Sequence, residues 1–164
     1  AFNRNKEVVL VHTGLSVFGV NREFCEDFET GMTLGENEFE YDLQKQKYCF
    51  THNMILNSTV MVRTEHIRKV DFTFDQIFQY EDWLLWVLLS RYGDYLYIPD
   101  KLTRYRSHES SATARILSSD VVRWYSFLEF YLVLLKKFHP RSPVATFKIL
   151  LGILKKLYLL YREY

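Results

Sequence analysis

Hydrophobic positions change period several times along this chain, and each change marks an element. Val8-Val9-Leu10-Val11-His12-Thr13-Gly14 is a largely apolar, Val-rich run closed by Gly, the pattern of a strand buried on both faces. From Ser16 to Gln46 the chain is polar, acidic and punctuated by Gly19, Gly31 and Gly35 without a sustained period. That stretch predicts a long loop or a loosely paired hairpin with short helical turns. Asn53 to Arg63 moves into the alternation Ser58-Thr59-Val60-Met61-Val62-Arg63, a second strand of period two. Thr64 can then cap a short helix that has Glu65 in its first turn and ends near Val70.

A stronger helix begins at Tyr80 or Glu81, where Trp83, Leu84, Trp86, Val87, Leu88 and Tyr92 surround an apolar face and Gly93 stops the run. Tyr95 to Ile98 reads as a strand, Pro99-Asp100 as a turn, and Lys101 to Arg106 as a further short strand. Ser107 to Ser119 is rich in Ser and Thr and reads as a mobile loop running into helix. Val121–Phe138 and Val144–Tyr161 are strongly apolar helical segments, separated by His139-Pro140-Arg141-Ser142-Pro143. Strand, helix and strand alternate through the body without an internal repeat, so the class is α/β with a mixed sheet.

Composition refines this picture. With 164 residues, 48% hydrophobic and 25% charged, the chain is long enough to bury a core. Its aromatic content of 17% suits either carbohydrate stacking or an interfacial surface. The net charge of +1 conceals an asymmetry: residues 115–164 hold nine Lys/Arg against three Asp/Glu, while residues 1–114 hold twelve against seventeen. The chain therefore divides into a mildly acidic body, 1–114, and a basic, apolar helical appendage, 115–164. Cys25 and Cys49 lack metal-ligand spacing, and no secretory signal opens the chain, which points to free thiols in a reducing compartment. The abrupt start at Ala1, leading directly into a strand, suggests a fragment.

Two groups of residues carry candidate chemistry. Glu81 and Asp82 are adjacent carboxylates at a helix start, and Arg106, His108, Ser110 and Ser111 follow downstream. A carboxylate held at a helix N-terminus can take a proton from a hydroxyl, and an Arg fork can hold a diphosphate. His108 can ligate a divalent metal or bind phosphate. The same residues also have plain structural readings: a helix cap for Glu81 and Asp82, a surface ion pair for Arg106, and a hydrogen-bonded group for His108. Trp83 can stack on a sugar or belong to the core; Trp86 reads as core and His12 as structural.

The order Phe74-Asp75, Glu81-Asp82-Trp83, Leu85-Trp86, Gly93, Leu102, Tyr105-Arg106, His108, Ser110-Ser111 resembles the acceptor-side half of a family 2 glycosyltransferase, over roughly Phe2 to Ala114. The resemblance implies a partial nucleotide-diphospho-sugar transferase sheet, GT-A-like and Rossmann-like, followed by C-terminal amphipathic helices. It implies Asp82 as general base and Glu81 as its acceptor-binding partner; Arg106, Trp83, Ser110 and Ser111 stand beside them as the candidate substrate-binding residues. It further implies a divalent cation, Mg or Mn, held mainly by residues this chain lacks, with His108 as a candidate ligand. Two departures stand out: Tyr80 replaces a small residue before the carboxylate pair, and Gln76 stands where an acid often follows Phe-Asp. Tyr80 leaves the acceptor pocket open to reshaping and the identity of the acceptor open.

The chain contains no Asp-x-Asp and no Gly-rich phosphate loop, so it reads as the back half of such a domain. The expected partners are a nucleotide-sugar donor and a glycan or lipid-linked acceptor. Residues 121–164 place Lys beside Trp, Tyr and Leu without an uncharged spanning run, as in a helix lying in a membrane interface. The expected location is then cytoplasmic, peripheral on the inner membrane face, although a hairpin packed on its own domain or on a second subunit has the same pattern. Nucleic acid is disfavoured because the cations are embedded in apolar surface. The competing function is a non-catalytic membrane-surface or partner-binding module of the same architecture.

Overall fold

A computed structural model of the chain describes residues 2, 3, 5–19, 39, 40, 53, 55–70, 79–138 and 143–163. Cys25, Cys49, the Phe74-Asp75 pair, Pro140 and most of the expected Ser16–Gln46 loop lie outside the described residues. The class is α/β. The elements are β1 (Val8–Gly19), β2 (Phe39–Glu40), β3 (Val60–Val62), α1 (Thr64–Ile67), α2 (Glu81–Leu89), β4 (Asp94–Ser107), α3 (Ala112–Leu117), α4 (Asp120–Phe138) and α5 (Pro143–Glu163).

The strands form one small mixed sheet in the order β2-β4-β1-β3. Its backbone is the parallel ladder of β1 with β4, flanked by antiparallel β3 and the two-residue β2. Val8 to His12 are buried, as a Val-rich run covered on both faces should be.

The ladder corrects two expectations. β1 does not end at Gly14 but runs to Gly19, and Pro99-Asp100 is not a turn between two strands but a bulge within one. Thr13 pairs with Ile98 and Gly14 with Lys101, so Pro99 and Asp100 are extruded from the register. A Pro lacks the N–H that a regular ladder needs, and a bulge is where a strand tolerates it. Gly14 faces this bulge closely enough that a Cβ would come 2.6 Å from the Pro99 carbonyl oxygen.

Two further helical expectations shift. Arg63, not Thr64, caps α1, which ends at Ile67 with turns continuing to Val70. The Ser/Thr-rich stretch after β4 is structured: Ser111 accepts a hydrogen bond from the Ala114 N–H at 3.0 Å and caps α3. Arg63 itself closes the sheet edge. Its Nε donates to the Val8 carbonyl at 2.8 Å, its Nη2 reaches the Phe2 and Asn5 carbonyls, and its guanidinium lies over the Phe2 ring.

A single apolar cluster joins the sheet, α2 and the helical pair. Leu10 and Tyr95 from the sheet, Trp83, Leu84 and Val87 from α2, Phe130 and Leu134 from α4 and Ile149 from α5 all belong to it. The basic appendage thus shares its core with the body. α5 approaches α4 closely at Gly152, where a Cβ would meet the Tyr131 ring at 2.7 Å. Among the described residues, no helix is long and apolar enough to cross a membrane.

Where α2 gives way to β4, Gly93 has φ of 155°, and a Cβ there would meet the Glu7 oxygen at 2.2 Å. Gly93→Ala should therefore cost at least ~2 kcal/mol in a urea unfolding titration, and a loss under about 0.5 kcal/mol would contradict this close approach. A second expectation concerns His12, fully buried in β1 with its ring 4.9 Å from that of Tyr97. Burial lowers its pKa from 6.5 to about 4. The unfolded chain therefore binds this proton first, so the stability is complete above pH 6.5 and falls as pH drops toward 4, by about 3 kcal/mol at the limit. In His12→Leu this component of acid destabilisation should vanish, as read from urea midpoints at pH 7 and pH 4.5.

Candidate functional site

The site is built around the first turn of α2. Tyr80 occupies the N-cap with φ −120° and ψ 37°, and its side chain makes no capping bond. Glu81 is exposed, whereas Asp82 is half-buried. Asp82 Oδ1 accepts the Trp83 backbone N–H at 2.6 Å, which fixes the carboxylate against the helix end. Burial raises its pKa from 3.8 to about 6; the Trp83 N–H opposes that rise and the Glu81 charge adds to it. The result is a positioned carboxylate that changes charge near neutrality.

An aromatic wall supports this turn. The Tyr80 ring stacks on Phe127 of α4 at 4.8 Å and meets Trp83 edge-on. Burial pushes the Tyr80 hydroxyl up to about 12, with Arg123 drawing it down and Asp82 pushing it further up. Trp83 stacks on Phe130 at 4.0 Å and is only 2% exposed. Its ring is enclosed by the core, so the expectation that it would stack on a sugar is replaced by a structural role. Ser126 Oγ lies 2.8 Å from both Gln79 Oε1 and the Val122 oxygen, tying the entry of α2 to α4.

Cations complete the neighbourhood. Arg123 lies over the Trp124 ring at 4.4 Å and pairs with Asp120 one turn earlier. Lys156 of α5 places its Nζ 4.4 Å from the ring centroids of both Trp124 and Phe127. Its pKa falls to about 8, through burial first and then through Lys155 and Arg123. Phe127 is therefore shared: Tyr80, which precedes the carboxylate pair, stacks on it, and so does the Lys156 ammonium. The residue that precedes the carboxylate pair and the Lys156 ammonium therefore meet on the same aromatic ring.

The downstream residues do not join this site. α2 packs on the start of β4 through the Tyr95 hydroxyl, which donates to the Trp86 carbonyl, whereas Arg106 lies at the far end of that fourteen-residue strand. Arg106 is exposed opposite Phe18, and His108 Nδ1 sits 3.0 Å from Ser110 Oγ. Ser111 serves as the cap of α3. No hydrogen bond or ion pair connects Arg106, His108, Ser110 or Ser111 with Glu81 or Asp82 among the described residues. Nor do those residues bring three His, Cys, Asp or Glu together as a metal site. His108 with a serine hydroxyl is a poor donor set for Mg or Mn, which favour several oxygens.

The residues that sequence reasoning missed are Arg123 and Lys156. Their approach to α2 depends on the α4–α5 pairing, and the available signal was the placement of Arg123-Trp124 and Lys155-Lys156 within otherwise apolar helices. Comparison with family models, with curated proteins and with solved structures gave no match.

The raised pKa of Asp82 sets a stability test. The folded chain holds this proton between pH 3.8 and about 6 while the unfolded chain does not, so ionisation destabilises the fold as pH rises through that window. Asp82→Asn keeps an acceptor for the Trp83 N–H and should be more stable than the parent by about 2 kcal/mol at pH 7.5, with the gain absent at pH 3.5. A variant less stable than the parent at pH 7.5 would assign Asp82 to simple capping.

Proposed function

We propose that this chain carries the acceptor-side half of an inverting, nucleotide-sugar-dependent glycosyltransferase of GT-A-like fold, with Asp82 as its general base. The observation that carries the reading is the half-buried Asp82 carboxylate, fixed at the N-terminus of α2 with its pKa near 6. A general base works best when its pKa lies near the operating pH. In the proposed step, Asp82 takes the proton of an acceptor hydroxyl as that oxygen bonds the anomeric carbon. The bond to the nucleotide diphosphate breaks at the same time, and the departing diphosphate keeps the electron pair. Configuration inverts because attack and departure occur on opposite faces. In this reading Glu81, exposed beside the base, binds acceptor hydroxyls. Donor and cation binding are assigned to none of the described residues.

A second reading, a non-catalytic surface module, is favoured by the extent of apolar side chain exposed along α5. Measurement of sugar transfer by the full-length protein separates the two. Asp82→Asn should lower kcat by about 10²–10⁴-fold while leaving donor affinity within about twofold. In the parent, kcat/KM should fall about tenfold for each pH unit below about 6, because the protonated carboxyl cannot act as base. Transfer at the parental rate by the variant would remove Asp82 from the chemistry, and no transfer by the parent with any nucleotide-sugar donor would favour the module.

A further inference from the structure

α5 has two apolar faces, and α4 covers only one of them. Ile149, Gly152, Ile153 and Lys156 recur at helical spacing and turn toward α4, where Gly152 meets Tyr131 and Lys156 lies on Trp124 and Phe127. On the other side Phe147, Leu150, Leu154, Leu157 and Tyr161 recur at alternating intervals of three and four, and all are exposed. At 100° per residue they lie within an arc of about 80°, a continuous stripe along a helix roughly 30 Å long.

The charges beside this stripe identify its occupant. Lys155 and Arg162, seven residues apart and both exposed, occupy a single edge of the helix next to the stripe, and Lys148 continues the same interval in the sequence. Pro143 to Arg162 contains no Asp or Glu. A second copy pairing through the same stripe would bring only Glu163 as a carboxylate from α5, at the last residue of the helix and, by helical spacing, off the stripe. An anionic lipid surface supplies a negative group at headgroup depth for each cation and an acyl boundary for the Leu, Phe and Tyr side chains.

We propose that the outer stripe of α5 lies in the plane of an anionic membrane surface, with Lys155 and Arg162 at headgroup level. This surface is distinct from the carboxylate of α2, and its assignment stands or falls independently of the transferase reading. Because the stripe side chains are already exposed, their replacement leaves the core intact, and circular dichroism can verify the fold of each variant.

The test is flotation of the full chain with phosphatidylcholine vesicles, with and without phosphatidylglycerol. The parent should float with the anionic vesicles at low salt and be released as the salt approaches about 0.5 M. Lys155→Ser combined with Arg162→Ser should weaken partitioning roughly 30-fold. Leu154→Gln should weaken it roughly 10-fold or more, whereas Leu102→Gln, at an exposed apolar residue of the β4 bulge, should not change it. Equal flotation with both vesicle types at high salt would overturn the assignment of the basic edge. No flotation, together with a dimer in sedimentation that Leu154→Gln dissociates, would give the stripe to a second copy instead.

Discussion

The stack of Trp83 on Phe130 holds the two parts of this molecule in register. One ring belongs to the helix that carries the carboxylate pair and the other to the helical pair that follows β4. Burying two rings of this size removes on the order of 300–500 Å² from water, worth roughly 8–12 kcal/mol as an upper bound. That is comparable with the whole stability of an ordinary domain, so α2 cannot leave α4 without disrupting the core. Asp82 is consequently attached to a rigid junction and not to a mobile loop. Its neighbour Tyr80 extends the same junction to Phe127, where Lys156 is also seated.

The junction is oriented by the parallel ladder beneath it. Tyr95 of β4 donates its hydroxyl to the Trp86 carbonyl, so the start of the strand fixes the position of α2. The other half of the ladder serves another purpose: past the Pro99-Asp100 bulge the strand leaves α2 behind and carries Arg106 toward α3. The two chemical clusters that are close in sequence are therefore separated by the length of the strand joining them. Sequence proximity and spatial convergence are different properties, and β4 is long enough to dissociate them.

Local pattern and long-range consequence divide what was legible from what was not. The two terminal helices follow from apolar runs bounded by prolines, and α2 follows from an apolar helical run between Tyr80 and Gly93. The strand from Val8 follows from a short Val-rich run. The extension of β1 past Gly14 was hidden because its residues there are partly polar and its pairing depends on a bulge in a strand some eighty residues later. Asp82 was legible from its place at a helix start, but its altered proton affinity was not, because the burial comes from the tertiary fold. Trp83 had two readings from spacing alone, and only the position of Phe130 decides between them. Arg63 read as a strand end, yet its three carbonyl contacts arise from the approach of the N-terminal segment.

Two titratable groups in this fold, His12 fully buried and Asp82 half-buried, respond differently at neutral pH. Both prefer the neutral form, since burial disfavours charge in each case. At neutral pH His12 is already in that form, so its burial is compatible with the working state and a structural role accounts for it. Asp82 is mostly ionised at the same pH, and no cation or side-chain donor engages it among the described residues beyond the backbone support at the helix end. Its cost to folding is thus present under working conditions. A neutral residue such as Asn would keep the hydrogen bond to the helix and avoid that cost. Under the general-base reading proposed above, that cost accompanies a proton acceptor at this position.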